Sequence, residues 1–246
     1  RPLLQIVRGA EFAGPSTYVA LEAAHAVVVA LCEAPTGPGA ANLSLASVLV
    51  KVSSAVCDCV FEETNAQVDE ATVMQMITVL GFCTTAPAGA DVAAFPENAR
   101  LQAFSKVLAL WGHYRHSPAL RACAQAALQR MLDFACADLG AQAAFVDAVF
   151  SRMAVEVGPS QPAERALLYL RCLQRLMTHP AARQWSVAES PQASFFQDAV
   201  PLALLRIGEH FSTSISVLSL LLPIVNRACW LCVDHWAVAA GGEDEG

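Results

Sequence analysis

The sequence predicts an all-α protein, an armadillo- or HEAT-like stack of antiparallel helix pairs, and three observations carry that reading. Apolar residues recur at three- and four-residue steps along most segments, the period of one helix face. The breaks between segments are rich in Pro, Gly and Ser, and several place a capping residue just before a proline. Helix starts near residues 16, 69, 117 and 162 lie about 45–53 positions apart, a length that suits two-helix units stacked side by side.

The elements follow in order. Residues 2–11 (PLLQIVRGAE) read as a short lead-in helix. Gly14-Pro15-Ser16 opens a helix over about 17–32, with Val19 or Ala20, Ala23, Val27, Ala30 and Leu31 expected on its inner face. Residues 34–41 (APTGPGAA) hold two prolines and two glycines and form a loop. A helix over about 43–61 follows, with Leu45, Val48, Leu49, Val52, Val56 and Val60 inside. Its many valines admit a strand, but the spacing fits three and four better than two, and alanines and serines fill the gaps.

The stretch 68–137 organises the chain as three amphipathic helices in tandem. Their stripes are Val73, Met76, Ile77, Leu80 and Cys83; Leu101, Phe104, Val107, Leu108 and Trp111; and Leu120, Ala124, Ala127, Leu128, Met131 and Phe134. Ser117 is placed to cap the third helix, with Pro118 at its first position. Beyond Gly140, which is expected to end a helix, Phe145, Val149, Met153 and Val157 fall in line. Gly158-Pro159-Ser160-Gln161-Pro162 is the sharpest break and sets the expected division: a helical domain 1–158, further helical repeats 163–238 and a disordered acidic tail 239–246. In ERALLYLRCLQRLMTH, Leu167, Leu170, Leu173 and Leu176 face in, Arg165, Arg171 and Arg175 face water, and His179-Pro180 stops the helix. Ser190-Pro191 starts a helix through Phe211, and the last helix is expected over about 213–236. The charge-free run 212–226 is 15 residues long and contains Pro223, so a core helix fits better than a membrane span of about 20 residues.

Composition narrows the function classes. The chain has 246 residues, 55% hydrophobic and 15% charged, which suits a large core and excludes a disordered chain. The formal net charge is −7, with lysine only at Lys51 and Lys106 and the arginines scattered. Nucleic-acid binding needs a clustered basic surface, and anionic head groups attract runs of Lys or Arg; neither is present, so membrane contact is expected only through a protein partner. The opening at Arg1 without an initiator Met suggests a piece of a longer polypeptide, and no secretory signal is legible.

Candidate chemistry is sparse. Nine cysteines, an odd number spread over helix faces, read as reduced thiols. Cys229-Trp-Leu-Cys232 has the spacing of a redox or zinc pair, but the chain lacks the βαβ elements of the first and the second pair of the second. Cys57 and Cys59 are about 100° apart on a helix and poor as shared ligands; one thiol is expected buried and the other partly exposed. His25 lies in an apolar helix as a core histidine. No phosphate loop or G-x-S-x-G elbow occurs, so no catalytic, cofactor or metal site is expected. His113-Tyr114-Arg115-His116 is the densest polar-aromatic cluster. It reads either as a partner-binding edge or as basic residues suiting a helix C-terminus.

Gly14-Pro15, then Asp69-Glu70 ahead of an apolar helix, then Thr85-Ala86-Pro87-Ala88-Gly89 and the helical segment from Trp111 to Leu139, form an ordered series. In that order the chain resembles, over roughly its first 155 residues, the N-terminal dimerisation and cyclophilin-binding (DCB) domain of the large Arf guanine-nucleotide exchange factors, the Golgi class typified by the Gea, GNOM and BIG proteins. Residues 164–236 are where the family's next helical module, the homology upstream of the exchange domain (HUS), should begin; its acidic, Asn-rich signature is absent here. The resemblance implies a non-catalytic module, with the catalytic glutamate in a domain not present in this chain. It further implies a homodimer, contacts with other domains of the same protein, small GTPases of the Arf, Arl or Rab type as partners, and peripheral association with Golgi membranes from the cytoplasm. From location and expected exposure, Gln75, Trp111, His113, Tyr114, Arg115 and Arg121 are the candidate partner-facing residues. A generic HEAT-type adaptor, or a protein lying in the membrane through residues 213–236, are the alternatives.

Overall fold

The structure is a computed structural model that describes residues 2–33, 45–62, 66–86, 95–113, 117–137, 139–155, 157, 162–179 and 200–241. Among them the chain is all-α. The helices are α1 (Pro2–Arg8), α2 (Gly14–Glu33), α3 (Leu45–Cys57), α4 (Ala66–Thr85), α5 (Glu97–Gly112), α6 (Pro118–Ala137), α7 (Leu139–Val155), α8 (Ala163–Thr178), α9 (Val200–His210) and α10 (Ile215–Gly241). The strand alternative for 43–61 gives way to α3, and the described residues hold extended pairing only at an isolated Ala13–Glu62 bridge. The predicted loop at 34–41, the turn after Ala86 and the Ser190-Pro191 start lie outside the described residues.

The chain forms two compact units, Arg1–Met131 and Leu132–Gly246. The division falls inside α6, whereas the sequence places it at 158–162, because proline and glycine report where a helix stops and not which helices share a core. Helix α10 runs through Gly241, so residues 239–241, expected as tail, are helical.

In unit 1, α4 is the central helix, touched by α2, α3 and α5. All five stripe residues expected of it, Val73, Met76, Ile77, Leu80 and Cys83, are buried, and so are Thr72, Val79 and Thr84, while Ala71 is exposed and Met74, Gln75, Thr78, Phe82 and Thr85 are half-buried on the outer side. Polar side chains on or beside the buried face must find partners inside the fold. Thr84 donates to the carbonyls of Leu80 and Gly81, Thr85 to Gly81 at 2.8 Å and Thr78 to Met74 at 2.9 Å, bonds back into the preceding turn that cost no external partner.

Two neighbours are fixed at the start of α4. The hydroxyl of Thr72 donates to the carbonyl of Gly14 at 2.9 Å, and the Asp69 carboxylate lies against Gly14, where its charge suits the N-terminus of α2. Glu70 accepts a hydrogen bond from Ser117 Oγ, and that same oxygen accepts from the amide of Leu120 at 3.1 Å, the capping role the sequence predicts for Ser117. Such a cap contributes about 1 kcal/mol.

Helix α2 turns its other face inward. Thr17, Ala20, Leu21, Ala24 and Val28 are buried, so of Val19 and Ala20 it is Ala20 that packs inside, while Val27 and Leu31, expected inside, are 50% and 37% exposed, Ala30 is exposed and Ala23 half-buried. Both faces are apolar in sequence, and packing selects the one with smaller side chains, which lets α2 approach α4 closely. In α3, Leu49, Val52 and Val56 are buried as expected, Leu45 and Val48 are half-buried, and Val60 lies past the helix end and is exposed.

In unit 2, Phe145, Val149, Met153 and Val157 are buried as their spacing requires. Helix α8 buries Leu170, Leu173 and Leu176 as expected, but also Ala166, Leu168, Tyr169, Cys172 and Met177, leaving Leu167 half-buried. It packs against α7 and α10. Arg175, expected to face water alone, makes a two-pronged pair with Asp133 of α6, Nη2 donating at 2.6 Å to Oδ2.

Two glycines predict opposite outcomes. A Cβ at Gly14 would lie 2.5 Å from Asp69 Oδ1, so Gly14→Ala is expected to destabilise by about 1–3 kcal/mol. A Cβ at Gly81 would meet Ala127 Cβ at 3.6 Å, ordinary contact, so Gly81→Ala is expected to stabilise by about 0.5–1 kcal/mol through helix propensity. Chemical denaturation of both variants beside the parent chain checks the pair.

Candidate interaction surfaces

The six residues proposed from the sequence fall into four groups. Gln75 on α4 and Arg121 on α6 are half-buried, and the Glu70–Ser117 bond ties the starts of their two helices together. The Nε of Arg121 is buried without a hydrogen-bond partner among the described residues, so only part of this side chain is free to meet another molecule. His113 is exposed at the end of α5, where its amide closes the last turn on the carbonyl of Leu110 at 3.3 Å. Trp111 is a correction: at 7% exposed it belongs to the core of unit 1, because it continues the stripe of Phe104, Val107 and Leu108. Tyr114 and Arg115 lie outside the described residues.

The thiols sort by burial. Cys59 is buried and Cys57 half-buried, and burial pushes each up to about 11 against a nearby Lys106, which acts in the opposite direction. Cys83 is pushed up to about 12, first by burial and then by the neighbouring Cys32 and Cys57. The ends of α2, α3 and α4 therefore bring these three thiols together, a convergence that no spacing in the sequence reveals. Cys136 and Cys172 in unit 2 are likewise raised to about 12 by burial. All these thiols are protonated at neutral pH and pack as small apolar groups. Among the described residues no group of three His, Cys, Asp or Glu side chains is arranged to hold a metal ion.

His25 sits edge-on to Phe82 with ring centroids 5.1 Å apart, and its Nε2 is buried without a hydrogen-bond partner among the described residues. Burial holds its pKa below the ordinary histidine value. Helix α2, which carries it, is long and apolar enough to cross a membrane by length and composition; its inner face is the one that packs on α4.

Unit 2 leaves several large apolar residues exposed on α9 and α10, where the sequence predicts a core helix over the run 212–226. Leu202 and Leu205 on α9, and Ile215, Leu222, Val225 and Trp230 on α10, are 49%, 60%, 84%, 65%, 36% and 55% exposed. Between the two helices lies a cleft of about 560 Å³ whose walls include Pro201, Leu204, Leu205, Val225 and Ala228, with Glu209 and Cys229 among its few polar groups. Exposed large apolar residues grouped on neighbouring helices mark an interaction surface more often than singly scattered ones do. Comparison with protein-family models and with curated proteins finds no match for this chain.

The His25 environment predicts a pH dependence. Its folded pKa is below its unfolded value, so the stability at stake is fully present above about pH 6.5 and is lost as the pH falls toward the folded pKa. Thermal melts at pH 7.5 and 5.5 should show this loss, and His25→Gln should reduce it.

Proposed function

We propose that this chain is a non-catalytic regulatory and protein-interaction module of a large Arf guanine-nucleotide exchange factor, an armadillo-like helical stack that works by surface complementarity. One observation carries the reading. The features of the resemblance, the Gly14-Pro15 helix start, the Asp69-Glu70 pair and the segment after Trp111, meet at the N-terminus of α4: Asp69 and Thr72 engage Gly14, while Glu70 engages Ser117. A series of motifs that converges on one buried junction is what a shared domain architecture would leave in the sequence.

In this reading the module self-associates, contacts other domains of the same polypeptide and docks small GTPases of the Arf, Arl or Rab type at Golgi membranes. The exposed end of α5 at His113 and the half-buried Gln75 are the GTPase-facing groups of unit 1. A generic helical adaptor shares the fold and differs in having no preference for such GTPases.

Calorimetric titration of the 246-residue chain with a panel of Arf, Arl and Rab proteins, each loaded with GDP or with a GTP analogue, tests the proposal. The expected result is binding to at least one member that prefers the GTP form and weakens about tenfold or more in Gln75→Glu or His113→Asp. Absence of binding across the panel would assign the chain to the generic adaptors.

A further inference from the structure

The Ser117 hydroxyl joins two helices of unit 1 through two hydrogen bonds of opposite sense. It donates to the carboxylate of Glu70 near the start of α4, and it accepts from the amide of Leu120 at 3.1 Å, capping α6. The two helices meet again further along, where a Cβ at Gly81 of α4 would lie 3.6 Å from Ala127 Cβ of α6. The Glu70–Ser117 bond is therefore a polar tie at the starting end of this helix pair. Ser117 itself lies outside the helix, half-buried, with Pro118 directly after it. A proline holds the residue before it in extended backbone, the form in which a kinase cleft takes up a serine, and Ser-Pro is the dipeptide that proline-directed protein kinases accept. It occurs at one other place in the sequence, Ser190-Pro191.

We infer that Ser117 is a phosphorylation site, and that a phosphate there unties α4 from α6 while leaving the α6 cap in place. The inference uses the junction itself and does not rest on the GTPase partners proposed above. In the transfer, Ser117 Oγ forms a bond to the γ-phosphorus of ATP, the bond from that phosphorus to the bridging oxygen breaks, ADP leaves, and the hydroxyl proton passes to the carboxylate base of the kinase. Glu70 then loses its donor, because the esterified oxygen carries no proton, and it faces a group of charge about −1.5 to −2 instead, so a bond becomes a repulsion. The cap survives in stronger form. Phosphate oxygens take the place of the hydroxyl oxygen at the Leu120 amide, where the positive end of a 20-residue helix favours an anion. Arg121 supplies the counter-charge. It follows Ser117 by four residues, its amide bonds the Ser117 carbonyl at 3.1 Å, and helical side chains lean toward the N-terminus, which carries the guanidinium toward the phosphate. Its Nε is buried without a hydrogen-bond partner among the described residues, so it has a donor to give.

Two measurements on the 246-residue chain test the inference. Incubation with a proline-directed serine kinase and Mg-ATP, followed by trypsin and mass spectrometry, reads the site, since the tryptic peptide 116–121 (HSPALR) holds a single hydroxyl residue. Phosphate in that peptide is expected, and its absence overturns the site. The chain with phosphoserine encoded at 117 is then compared with the parent by hydrogen exchange. Amides of residues 70–76 in α4 are expected to exchange about tenfold faster, the effect of losing one charged hydrogen bond, while those of residues 120–124 in α6 are not accelerated. Glu70→Gln, whose side-chain amide can donate to the phosphate, is expected to remove most of the acceleration, and Arg121→Gln to spread it into the first turn of α6. Equal exchange in the parent and phosphoserine chains, or an acceleration that Glu70→Gln leaves unchanged, overturns the release of α4.

Discussion

Unit 1 depends on one helix that three others pack against. Helix α4 turns a broad face inward and leaves Ala71, Met74, Gln75, Thr78, Phe82 and Thr85 on its outer side, and its place is set by the elements around it: α2, α3 and α5 each pack against it. Burial of its inner face is tolerable because Thr84 returns its hydroxyl to the helix's own backbone, Thr72 donates to the Gly14 carbonyl, and the acidic residues sit at the first turn, where neighbouring helix starts receive them. Each large residue buried there contributes about 1.5–3 kcal/mol, and cavities left by truncation would be felt across three helix contacts at once.

Unit 2 is organised differently. Its inner packing rests on the wide stripe of α8, with Tyr169 edge-on to Phe150 at 5.7 Å between ring centroids, and with Asp133 of α6 held by the fork of Arg175. That ion pair is about half exposed on each side, so it orients the two helices more than it stabilises them. Helices α9 and α10 leave large apolar residues outside the core, where unit 1 does so chiefly on the outer face of α2.

Much of the fold was legible in the sequence because its period is strong where it matters. The stripes of α4, α5, α6 and α7, apart from the half-buried Leu101 and Phe134, could be read directly from a clear three-four spacing, and α6 adds the Ser117 start signal. Helix α2 misled for a physical reason: with Val and Ala on both faces, period alone cannot choose, and the deciding term is how closely a small-residue face can approach α4. Trp111 shows the same tension from the other side. Its location beside the His113 cluster suggested a partner-facing residue, but its position in the stripe had already assigned it to the core. The apolar run of α10 was legible but read as a core helix, because spacing alone does not show that Ile215 and Leu222 lie on the outer side.

The contact between Gly14 and Asp69 has a consequence for which sequences this fold can accept. Fifty-five positions apart in the chain, the two compete for one small volume: the carboxylate occupies the space that any side chain at 14 would need. Position 14 cannot gain a side chain alone. A lineage that acquires a side chain at 14 must shorten or redirect the residue at 69, and one that loses the carboxylate relaxes the demand for glycine, so the two sites should vary together as a pair.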